Sequence, residues 1–192
     1  MEKPSGHGGL TRNSKAISIV VGLALVFIVA GTVLWMRQGG DEQAAPRGGK
    51  FKLAPAFELK DADGKSHRLA DFKGKVVVLH FWAAWCAPCL EEIANWTKFA
   101  EGFQGEGVKF VAITLDDRWE DAHKILPSKG LPANVVSLID LSKELPEKFG
   151  TYQYPETYLI GPDQTIVTKW VGPQPWDQPG LKNIIERVAA GK

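Results

Sequence analysis

The run Val76-Val77-Val78-Leu79-His80-Phe81-Trp82 is continuous, apolar but for one histidine, and β-branched at its start. Such a run suits a central strand covered on both faces. Only three residues separate it from Cys86-Ala87-Pro88-Cys89, and from Cys89 onward Ile93, Trp96, Ala100 and Phe103 recur at steps of four and three. That is the period of a helix with one buried face, here expected over about 88–103. The only two cysteines of the chain therefore sit at a strand-to-helix junction.

The rest of the chain repeats the alternation. Residues 57–59 and 66–69 flank Asp61-Ala62-Asp63-Gly64, which predicts a short hairpin. Val108 to Leu115 reads as a second buried strand, followed by a helix capped by Asp116 or Asp117 and running to about residue 129. A third strand is expected over 135–139, and a short helix from Asp140 towards Phe149. Two strands, 158–160 and 165–171, enclose the turn Gly161-Pro162-Asp163-Gln164, and a closing helix covers 181–190. Strands alternating with helices and ending in a hairpin describe an α/β domain with a mixed sheet.

Residues 17–35, ISIVVGLALVFIVAGTVLW, contain no charge, and about 20 apolar residues cross a bilayer as a helix. Lys15 and Arg37 bracket the segment, and Trp35 suits the interface. The expected organisation is a cytoplasmic N-terminus over 1–16, a membrane-spanning signal-anchor over 17–36, a Gly-rich linker over 37–50 and a folded domain over 51–192. A cleavable signal is the other reading, with Val29 and Gly31 as the small residues before a cut. The folded part carries 17 basic and 19 acidic residues with no basic run interleaved with aromatics, so no nucleic-acid partner is expected.

Two cysteines this close gain little as a structural staple, because stabilisation grows with the loop closed. Half a zinc site would need two more ligands, and His7, His67, His80 and His123 show no paired spacing. Redox chemistry fits the arrangement. Cys86 falls just before the first helical turn, where free N–H groups and the helix dipole stabilise a thiolate and make it the attacking sulfur. Pro88 is tolerated there because a first-turn N–H has no partner in any case. Cys89, one turn inward, would resolve the mixed disulfide. Glu92 lies three residues beyond and shares its helical face.

The segment Val76–Cys89 resembles the active-site strand and helix of a thioredoxin-fold protein, and more narrowly of the TlpA/ResA/CcmG-like membrane-anchored thiol–disulfide oxidoreductases. Ala54-Pro55-Ala56-Phe57 and Asp71-Phe72-Lys73-Gly74-Lys75 resemble that family's N-terminal hairpin and its approach to the central strand. Residues 108–139 match its inserted strand and helix, and Tyr154-Pro155-Glu156-Thr157-Tyr158 its cis-proline loop. The resemblance covers about 54–190. It implies a thioredoxin fold with an N-terminal β-hairpin and a central insertion. It also implies a cis Pro155 packed on the sulfurs, and a Tyr154 backbone that hydrogen-bonds an incoming peptide. Glu92 becomes a partly buried acid with a raised pKa that exchanges a proton with Cys89. Glu156 would add a second negative charge beside the site, and Trp85, more than Trp82, would face the substrate. His80 departs from the pattern, since thioredoxin has a buried Asp six residues before the first cysteine and the TlpA-like group commonly has Asn. It reads either as a satisfied core residue or as a proton-exchanging group.

The function this implies is reduction of disulfides in partner proteins on the periplasmic side of a bacterial inner membrane. Apocytochrome c cysteines would be the substrate and a membrane thiol protein the electron donor. No cofactor or metal beyond the Cys86–Cys89 pair is expected. The alternative is a module that binds Cu(I) through the two thiolates, or primes an oxidase copper site, since soft thiolates select that ion. A peroxiredoxin would show Pro-x-x-x-Thr-x-x-Cys, whereas Phe81-Trp82-Ala83-Ala84-Trp85 precedes Cys86.

Overall fold

The computed structural model describes residues 52–103, 105, 107–126 and 130–191. The expected signal-anchor, the N-terminal segment before it and the linker lie outside these residues. Among the described residues no helix is long and apolar enough to cross a membrane.

Seven strands form one mixed sheet. They are β1 (Glu58–Lys60), β2 (Ser66–Arg68), β3 (Val76–Trp82), β4 (Val108–Thr114), β5 (Val135–Ile139), β6 (Glu156–Ile160) and β7 (Ile166–Val171), in the spatial order β2-β1-β5-β4-β3-β6-β7. The strands β3, β4 and β5 run parallel, while β6 is antiparallel to β3 and β7 to β6. The hairpin β1–β2 closes one edge through a single antiparallel pair, Lys60↔Ile139. The helices are α1 (Ala87–Glu101), α2 (Trp119–His123), α3 (Leu145–Phe149) and α4 (Pro179–Ala189).

Every residue of β3 is buried, and its alternation assigns each side chain to one of two aromatic layers. His80 stacks on Trp96 of α1 with ring centroids 5.1 Å apart. Trp96 continues into Phe110, and Phe99 of α1 meets Trp176, which follows β7. On the opposite face Phe81 meets Phe149 of α3 and Tyr158 of β6 edge-on. Trp82 is core.

Among the element boundaries that differ from the sequence expectation, three have a local reason. The helix after β4 is only Trp119–His123 with Arg118 at its N-cap, and the Asp116 carboxylate instead accepts the Ala84 amide of the loop between β3 and α1. The helix expected at Asp140 begins at Leu145. Asp140 Oδ1 accepts the Ser142 and Lys143 amides and Oδ2 accepts the Leu145 amide, which organises a turn ahead of α3. That helix ends at Gly150, whose φ of 76° is the left-handed conformation glycine adopts without strain. The closing helix begins two residues early, at Pro179, since a proline is tolerated in a first turn.

Candidate active site

The first turn of α1 places the sulfurs. Cys86 occupies the N-cap position, with φ −93° and ψ 100°, and its carbonyl accepts the Cys89 and Leu90 amides. The helix's first turn contains Pro88 and no acidic residue, so nothing there offsets the positive end of the helix at Cys86. Cys86 and Cys89 are joined in a disulfide. They are unequal in access, with Cys86 6% exposed and Cys89 fully buried. Of the two residues, only Cys86 retains any exposure to an incoming partner.

The loop that carries them is held by Asp116, one of the two aspartates expected as a helix cap. Both oxygens of buried Asp116 accept the Ala84 amide, at 3.1 and 3.0 Å, and the Thr114 hydroxyl donates to Oδ2 at 2.6 Å. The end of β4 thus clamps the turn two residues before Cys86. Asp116→Ala should leave the Ala84 amide without that acceptor, lower stability by about 1–3 kcal/mol, and change the thiol–disulfide exchange rate of Cys86. Denaturation of the oxidised protein checks this, and a variant as stable as the parent would mean that the turn holds itself.

Glu92 is buried on α1. Its Oε2 accepts the Gln174 amide at 2.6 Å and the Trp176 indole N–H at 3.2 Å, and its Oε1 stands 3.6 Å from His80 Nε2. Burial pushes its pKa up to about 7, and the Gln174 and Trp176 hydrogen bonds pull the other way. An acid poised near neutrality is suited to both giving and taking a proton. His80 is fully buried, with Nδ1 2.8 Å from the Thr157 hydroxyl. Burial holds its pKa down to about 3, so the ring is neutral. Neither donor to Glu92 was foreseen, because Gln174 and Trp176 lie far along the chain in an irregular segment with no periodic signal.

The rim carries the remaining residues. The Tyr154–Pro155 peptide bond is cis, and Pro155 is buried. Trp85 is 62% exposed, meets Tyr154 edge-on at 6.0 Å, and overhangs an open cleft of about 360 Å³ lined also by Ala84, Asp117, Lys124 and Ile125. Glu156 does not join this rim. It is fully buried, paired across the sheet with Phe81 rather than His80, and its Oε1 accepts a 2.6 Å bond from Lys169 Nζ. Residues paired directly across strands share a face, so the Glu156 carboxylate points into the layer of Phe81 and Tyr158, where Lys169 balances it. The expected second negative charge among the partner-contacting residues is corrected accordingly. Among the described residues, no group of three or more His, Cys, Asp and Glu is assembled to hold a metal.

The sequence model of the AhpC/TSA family matches residues 52–169. The chain belongs to that family. It is 29% identical over 157 residues to the thiol-disulfide oxidoreductase ResA of Bacillus subtilis (strain 168), covering 81% of this chain and 85% of the relative. It is 31% identical over 137 residues to ResA of Bacillus thuringiensis subsp. konkukian (strain 97-27), covering 71% and 77%. Among solved structures, a candidate thiol:disulfide interchange protein DsbE from Chlorobium tepidum superposes with a TM-score of 0.65 at 30% identity, over 73% of this chain and 98% of that one. This AhpC/TSA-family protein is thus a ResA/CcmG-like thiol–disulfide oxidoreductase of the thioredoxin superfamily.

Proposed function

We propose that the chain is a reductant of disulfides in partner proteins, held at a bacterial inner membrane by residues 17–36 with residues 51–192 in the periplasm. Apocytochrome c cysteines are its substrate and a membrane dithiol protein its electron donor. The observation that carries this is the pairing of an accessible Cys86 at a helix N-terminus with a sealed Cys89 whose helical face holds the buried Glu92. The Cys86 thiolate attacks one sulfur of the partner's disulfide and forms a mixed disulfide. The expelled partner thiolate takes a proton from solvent. Glu92 takes the thiol proton of Cys89, and the resulting thiolate attacks Cys86 Sγ and releases the partner's second sulfur as a thiolate, protonated in turn. Two electrons have passed to the partner, and the Cys86–Cys89 disulfide remains. The donor dithiol then returns two electrons, and Glu92 gives its proton back to Cys89. Trp85 and the Tyr154 backbone line the approach of the substrate segment, and no cofactor beyond the cysteine pair enters the cycle.

The test is the equilibrium reduction potential of the full chain in detergent against defined thiol–disulfide buffers, with Cys86→Ala as control. A value near or below about −220 mV, in the range of glutaredoxins and thioredoxin, is expected. A value near about −120 mV, that of a dedicated periplasmic oxidant, would reverse the direction. Absence of a reversible couple would leave Cu(I) binding by the two thiolates as the reading to pursue.

A further inference from the structure

Two buried polar atoms in the site lack a hydrogen-bond partner, and they face each other. Among the described residues His80 Nε2 and Glu92 Oε1 have none, and they stand 3.6 Å apart. His80 is fully buried and Glu92 is 4% exposed. The other polar atoms of the two groups are engaged, Nδ1 with Thr157 and Oε2 with Gln174 and Trp176. Native folds rarely leave one buried polar atom unpaired, and each such atom calls for a reason.

The Thr157 hydroxyl favours one assignment of the ring hydrogen. His80 Nδ1 is the one hydrogen-bond partner of its buried hydroxyl among the described residues. Were Nδ1 the donor, the hydroxyl hydrogen would be left without an acceptor. The hydroxyl is satisfied when it donates to Nδ1, which puts the ring hydrogen on Nε2, facing Glu92. Trp96 stacks on the ring and fixes its plane.

We propose that His80 is a positioning residue for the Glu92 proton. Its Nε2–H is the third donor to the Glu92 carboxylate, engaged when that group is ionised and disengaged when it is protonated. This rests on the reading of Glu92 as the proton acceptor of Cys89. A neutral carboxyl needs no third donor, and 3.6 Å is beyond hydrogen-bond reach. When the disulfide opens and Glu92 passes its proton to Cys89 Sγ, the new carboxylate draws the Nε2–H in. The proton moves only between Glu92 and Cys89, and His80 keeps its own throughout, since burial holds the ring neutral. Among the described residues no other ionisable group pairs with Glu92. From α1 only the cysteine pair shares the face, β3 supplies His80, β6 the neutral Thr157, and the segment after β7 the neutral Gln174 and Trp176. Among the described residues His80 is the sole ion-pair neighbour of Glu92, and the α4 lysine, Lys182, pairs with Glu186.

The test is the pH titration of the Glu92 carboxyl by carbon NMR in the oxidised full chain, for the parent, His80→Asn and His80→Gln. Asparagine offers Thr157 a partner near Nδ1 but nothing at the Nε2 position, whereas glutamine carries an amide N–H to it. Glu92 is expected to titrate about one pH unit higher in His80→Asn and to return to the parental value in His80→Gln. An unchanged titration in His80→Asn, or an equal rise in both variants, overturns the proposal. Nitrogen NMR of the parent imidazole, which needs no variant to fold, is expected to find hydrogen on Nε2, and hydrogen on Nδ1 overturns it as well. Undiminished resolution by Glu92→Gln would instead overturn the role given to Glu92, while the titration and the tautomer still decide that of His80.

Discussion

Cys89→Ser should abolish turnover while leaving the first chemical step intact, so that the protein accumulates as a mixed disulfide with its substrate through Cys86. The reason lies in the difference between the two sulfurs. Cys86 is the one a partner can reach, and Cys89 is fully buried behind it. With Ser at 89 nothing attacks Cys86 Sγ from inside the protein. Cys86→Ala should form no adduct at all. Neither loss would come from unfolding, since the bridge closes a sequence separation of only 3, and a loop that short contributes about 2 kcal/mol in the chain-entropy account. Mass spectrometry under non-reducing conditions with a disulfide-bonded peptide separates the cases. An adduct on Cys86→Ala, or multiple turnovers by Cys89→Ser, would sink the assignment of attacking and resolving roles.

Glu92→Gln should give an enzyme that is slower and, at alkaline pH, more stable. The rate of the resolving step should fall by about 10²–10⁴, the usual contribution of a positioned acid–base group. The stability effect follows from linkage. Glu92 holds its proton more tightly in the folded protein, at about 7 against 4.5. Its contribution is therefore fully present below about 4.5 and lost as pH rises through 7. Buried His80 has the opposite sign, about 3 against 6.5. The folded state binds its proton less readily, so stability falls as pH drops from 6.5 towards 3. Glutamine removes the alkaline loss alone. At pH 8 the variant should exceed the parent by on the order of 3 kcal/mol, while near pH 4 the two should be similar. Urea denaturation at both values checks this, and equal stabilities at pH 8 would mean that Glu92 is not held against its preference.

What could be read from the sequence was whatever has a local cause. The strand β3, the helix after it and the position of Cys86 at its head follow from an apolar run, a period of three and four, and a proline in the first turn. Asp116 was misread for an equally physical reason. An Asp after a strand is an apt helix cap, and only the tertiary fold reveals that Ala84 takes its carboxylate first. The surroundings of Glu92 were out of reach because its two donors come from a segment more than eighty residues away. The facing of Glu156 depended on strand register. Shifting β6 by one residue would have exchanged Glu156 with Thr157, and Phe81↔Glu156 is not a pairing that composition predicts.

That register puts the two buried glutamates on opposite sides of the sheet. The two glutamates bracketing the sheet are chemically the same residue, yet one has a permanent lysine counter-ion and the other has only neutral donors. The sheet acts as a partition between them. Glu156 is paired with Lys169, whereas Glu92, which burial pushes up to about 7, is the carboxyl that the proposed cycle uses to exchange a proton. In the proposed cycle the protein side of each turnover is a one-proton reservoir coupled to a two-electron transfer, with the second proton exchanged with water on the partner's side of Cys86.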